Sequence, residues 1–101
     1  MIHEYYLITI NARPGMEETI VDFLLTVENE YGFSSYLVSE HGNTNRNLSI
    51  TEQVDGRQKR IQFQMYVSKN NLAELITRIK AEFSDAGMRY WIVPMIEHGL
   101  I

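Results

Sequence analysis

The sequence predicts an α+β domain whose elements run strand, helix, strand, strand, helix, strand. Three observations carry the prediction. Four short stretches are rich in aromatic and β-branched residues, two stretches carry apolar residues at helical spacing, and Gly, Pro and Asn punctuate the junctions. At 101 residues the chain has room for one core, so residues 1–101 are expected to form one domain.

Residues 4–12 read as the first strand, since Tyr5-Tyr6-Leu7-Ile8-Thr9-Ile10 favours extended structure and Pro14 follows too soon for a helix. Arg13-Pro14-Gly15 makes a turn, and Glu17 and Glu18 suit a helix N-terminus. Met16, Ile20, Phe23, Leu24, Val27 and Tyr31 then fall on one helical stripe, and Gly32 stands where a left-handed cap is expected. Residues 33–40 alternate as a second strand. From His41 to Gly56 no period holds, and a loop of about fifteen residues inside a small domain suggests function. Ser49 and Glu52 have capping-box spacing, so a short helical turn is expected over 49–53.

Residues 57–67 form a third strand with Ile61, Phe63, Met65 and Val67 on one face. Asn71 and Glu74 repeat the capping-box spacing, Leu72, Leu75, Ile76, Ile79 and Phe83 make the second helical stripe, and Gly87 is placed to end it. Residues 88–94 are the fourth strand, with Pro94 better suited to a sheet edge than its middle. Two βαβ units of this order interleave into a four-stranded antiparallel sheet with both helices on one face, the ferredoxin-like sandwich. Glu40-His41-Gly42 and Glu97-His98-Gly99 recur at an offset of 57, each expected just past the second strand of its half, which is weak support for two matching halves.

Composition excludes several function classes. The net charge of −4 offers nucleic acid no attractive field, and no basic stripe overrides it. The absence of cysteine removes disulfides, thiolate nucleophiles and cysteine-based zinc or copper sites. No secretory signal is visible, and no apolar run approaches the ~20 residues of a membrane span. A cytoplasmic protein without membrane insertion is expected.

Helices can cover one side of the sheet only. The first and fourth strands are apolar or aromatic on both parities, so the bare side is expected to show about five to seven large apolar side chains. Burying each contributes about 1.5–3 kcal/mol, against a whole-domain stability of about 5–15 kcal/mol. A patch of that size predicts self-association.

Chemistry-bearing residues are sparse. His41 and His98 each follow a glutamate and could give N/O donor pairs for zinc, nickel or cupric ions; surface histidines at strand ends are the plainer alternative. The fold puts the two at opposite sheet edges, so they could meet only across a subunit boundary. Arg57, Lys59 and Arg60, with Arg46 nearby, gather cations at the loop's return. They could grip an anionic effector or partner, pair with Glu40 and Glu52, or simply flank a strand. Glu52 and Gln53 could order the loop. No nucleophile–base–orienter set stands out, so an enzyme is not expected. The enzymatic alternative is a dimeric α+β barrel oxygenase, with Trp91, Tyr66 or a histidine lining a pocket between helices and sheet.

Gly32-Phe33-Ser34-Ser35-Tyr36, Ser39-Glu40-His41-Gly42, the run from Leu48 to Arg60, and Tyr90-Trp91-Ile92-Val93-Pro94 together resemble a branch of short PII-like proteins, often encoded beside heavy-metal efflux systems. The resemblance spans nearly the whole chain and is most specific from Leu48 to Arg60. It implies a trimer with sheets facing a central axis, and a regulator that binds small effectors between subunits. The effector itself is left open. The working surface would be the loop from His41 to Arg60, and the partner a membrane efflux or regulatory protein. The chain departs from the nitrogen-regulating members: Ser84-Asp85-Ala86-Gly87 holds no lysine, and no lysine or arginine follows Pro94. These departures argue against adenine-nucleotide binding by the usual route. No clear counterpart of the modified tyrosine lies between His41 and Gly56, so uridylylation is not expected.

Overall fold

Alternation along the strands decides the sheet. A computed structural model describes residues 4–27, 31–42 and 57–101 of the chain, with Arg57 as backbone alone. Its elements are β1 (Tyr5–Ala12), a 3-10 turn (Pro14–Met16), α1 (Glu17–Leu24), β2 (Ser34–His41), β3 (Arg57–Ser68), α2 (Lys69–Glu82) and β4 (Arg89–Pro94). The strands are ordered β2-β3-β1-β4 and every pairing is antiparallel. Ile8, Ile10 and Ala12 of β1 and Ile61, Phe63, Met65 and Val67 of β3 share one buried cluster with Ile20 and Leu24 of α1 and Leu75 and Ile79 of α2. Both helices therefore cover one face, as the ferredoxin-like order requires.

Several boundaries differ from the sequence reading, each for a local reason. α1 stops at Leu24, because the Thr26 and Val27 amides bond to the carbonyls three residues back and the Thr26 hydroxyl donates to the Phe23 carbonyl at 2.6 Å. Tyr31 thus lies outside α1, and Gly32, at φ +70, stands two residues before β2. Glu40 and His41 lie inside β2, not beyond it. Ser68, extended at φ −68 and ψ 153, is both the last residue of β3 and the N-cap of α2, whose first amide, Lys69 N–H, bonds the Glu4 carbonyl at 2.8 Å. The helix therefore starts before Asn71, which with Glu74 sits inside it and caps nothing. α2 ends at Glu82, and the chain turns through Asp85 (φ 62) and Gly87 (φ 71) into β4. Pro94 closes an edge strand, as expected. The helical turn expected over 49–53, and Arg46, Glu52 and Gln53 with it, lie outside the described residues.

Candidate functional site

The face that neither described helix covers is divided into two chemically different halves. Register places Tyr5, Leu7, Tyr66 and Val93 toward one end and Asn11, Gln62, Arg60, Gln58, Glu40 and Arg89 toward the other. Trp91 and Gln64 flank Thr9 between them, and Thr9 is only 1% exposed.

The polar half is a connected hydrogen-bond chain across three strands. Tyr36 OH donates to Gln62 Oε1, Gln62 Nε2 donates to Asn11 Oδ1 at 2.8 Å, and Asn11 Nδ2 donates to Glu40 Oε1 at 2.7 Å. Glu40 Oε2 stands 3.9 Å from Arg60 Nε, while Arg60 Nη2 donates to Gln58 Oε1 at 2.7 Å and Nη1 to the Lys59 carbonyl at 3.0 Å. Asn11 is 5% exposed, so this chain saturates a side chain that the central strand would otherwise bury unpaired. Of the cations singled out from sequence, Arg60 is thus engaged with Glu40. Lys59 projects from the opposite parity of β3 and is exposed, and Arg57 pairs with His41 at the first position of the strand.

The apolar end gathers four rings from four separate parts of the chain. The C-terminal tail, anchored by the Met95 amide on the Tyr5 carbonyl at 3.0 Å, brings His98 within 4.2 Å of Tyr5 between ring centroids and 5.3 Å of both Tyr31 and Tyr66. Tyr31 and Tyr66 stack at 4.7 Å. His98 Nδ1 is buried there without a hydrogen-bond partner. His41 lies at the far end of the sheet, opposite Arg57, nine residues of β3 from Tyr66 and so about 30 Å away at strand rise. The two histidines are not brought together within one subunit. Among the described residues no group of three His, Cys, Asp or Glu side chains is placed to hold a metal.

Sequence reasoning missed this arrangement. Asn11, Gln62 and Tyr36 carry no motif, and Tyr5, Tyr31 and Tyr66 converge only through topology. Trp91 and Tyr66 lie on the face away from the helices, whereas two cavities on the helix side are lined by other residues.

Residues 2–101 match the family model described as protein of unknown function, DUF3240. The chain belongs to the DUF3240 family. Its fold is also that of a DUF3240 protein from Shewanella baltica, with TM-score 0.79, 21% identity and 99% of each chain covered. CutA from Synechococcus elongatus gives TM-score 0.63 at 11% identity over 94% of this chain and 80% of that one. A putative PII-like signalling protein from Thermus thermophilus gives 0.61 at 16% identity, covering 92% and 88%. These likenesses establish a shared fold for the DUF3240 chain. No curated protein matches it in sequence. Among the described residues no helix is long and apolar enough to cross a membrane.

Proposed function

We propose that this chain is a regulatory protein of the PII-like kind, assembled as a homotrimer in the cytoplasm, that senses a small effector or a metal ion and signals through residues 41–56. The reading makes it a regulator and not an enzyme, with an efflux or regulatory protein of metal tolerance as its partner. Its fold likeness to a PII-like signalling protein supports the regulatory part. The observation that carries the assembly is β4. This edge strand exposes Tyr90 on one face and Trp91 and Val93 on the other, and runs into a tail whose Ile96, Leu100 and Ile101 are exposed. An exposed apolar edge of this kind is a template for association. A second copy seated there would cover both the strand edge and the apolar half of the bare face.

Light scattering at micromolar concentration tests the assembly. Three copies of the 11.8 kDa chain are expected. Two copies would favour the dimeric barrel enzyme, and one would overturn the assembly. Thermal-shift titration with divalent metals and small effectors then tests sensing, since a ligand at 100 times its dissociation constant stabilises by about 2.7 kcal/mol. No shift with any of them would remove the sensing role.

A further inference from the structure

A groove between the end of α1 and the first turns of α2 holds two opposite charges apart over an apolar floor. The cavity measures about 300 Å³ and is lined by Thr26, Val27, Val67, Asn71, Glu74, Leu75 and Arg78. Val67 and Leu75 are buried, and Val27 is half-buried beside them. Glu74 and Arg78 are four residues apart on α2, the spacing at which an acid and a base ordinarily pair along a helix. Here no ion pair joins them. The Arg78 guanidinium turns instead toward α1, lying 5.5 Å from the centroid of the Phe23 ring and donating from Nη2 to Thr26 Oγ1 at 3.4 Å. The Thr26 hydroxyl is itself fixed, donating to the Phe23 carbonyl. The cation is thereby held in place before any ligand arrives, which reduces the ordering cost of binding an anion.

We propose that this groove binds a free amino acid with an aliphatic side chain. The ligand carboxylate meets Arg78, which can offer its remaining N–H groups in a planar fork. The ligand ammonium meets the Glu74 carboxylate, and the side chain lies on Val27, Val67 and Leu75. Asn71, one helical turn before Glu74, presents its amide at the same rim. A simple anion leaves Glu74 unanswered and a simple cation leaves Arg78 unanswered, so a zwitterion is the class that satisfies both. The volume suits a ligand of this size and lies at the lower bound for small-molecule sites. Every lining residue belongs to one chain, so the proposal does not rest on the trimer.

Isothermal titration of the full chain with L-leucine, isoamylamine and 4-methylpentanoate tests it without any mutation. Saturable leucine binding is expected, with each analogue weaker by tenfold or more because it lacks one of the two charges. Glu74→Gln and Arg78→Gln are each expected to weaken leucine by at least tenfold, while Lys80→Gln, outside the groove, leaves it unchanged. Arg78 also packs on Phe23, so circular dichroism accompanies that variant; Glu74 is exposed and its substitution leaves the fold intact. Absence of leucine binding at 10 mM, equal binding of the analogues, or full binding by Glu74→Gln would overturn the assignment.

Discussion

Asn11 shows how a single residue shapes the bare face. It points away from the helices from the central strand, yet it is almost sealed, because Gln62 and Glu40 lie over it and exchange hydrogen bonds with it. Replacing it with alanine leaves both neighbours short of a partner in a partly buried setting. Asn11→Ala is expected to cost about 1–3 kcal/mol, read by urea unfolding at fixed protein concentration. The histidines differ in the same way. His98 contacts three tyrosine rings, and aromatic pairs contribute about 0.5–1.5 kcal/mol each beyond area burial, so His98→Ala is expected to lower the melting temperature and loosen the tail. His41 is exposed at a strand end, and His41→Ala is expected to fall within about 0.5 kcal/mol of the parent. Equal effects of the two would contradict the ring cluster.

At the scale of elements, the strands and helices were legible because their periods are clean: Ile8, Ile10 and Ala12 against Thr9 and Asn11, or Leu75 and Ile79 along α2. The ends were less legible. Tyr31 continues the apolar spacing of α1 by arithmetic, but Thr26 competes for backbone carbonyls and ends the helix first. Asn71 and Glu74 imitate a cap, while Ser68 passes from strand to helix without a loop, which a local pattern does not reveal. The candidate site was least legible, since its members stand far apart in sequence: Tyr5, Tyr31, Tyr66 and His98, or Thr26 and Arg78, meet only once the sheet order is fixed. The turn after α2 offers a test of backbone strain. Gly87 holds φ 71, so Gly87→Ala is expected to destabilise by about 1–2 kcal/mol. Asp85 already occupies φ 62, and Asp85→Gly is expected to be neutral or slightly stabilising in the same unfolding assay.

For the whole molecule, the bare face carries the large apolar side chains expected from the sequence, but they are gathered toward one end. Tyr5, Leu7, Tyr66, Trp91 and Val93 lie where the sequence count placed apolar bulk, but the other half satisfies itself through Tyr36, Gln62, Asn11, Glu40 and Arg60. The association proposed above would therefore draw on β4 and the tail and not on the whole sheet. A charge introduced at Val93 acts on that strand, and Val93→Glu is expected to reduce the particle to single chains while leaving the far-ultraviolet spectrum unchanged. Trp91, the sole tryptophan, is 40% exposed in the lone subunit and reports directly on that strand. Acrylamide quenching of its fluorescence at micromolar concentration is the most direct measurement. Quenching several-fold weaker in the parent than in Val93→Glu is expected, because a second copy shields the indole. Equal and free quenching in both proteins would contradict it.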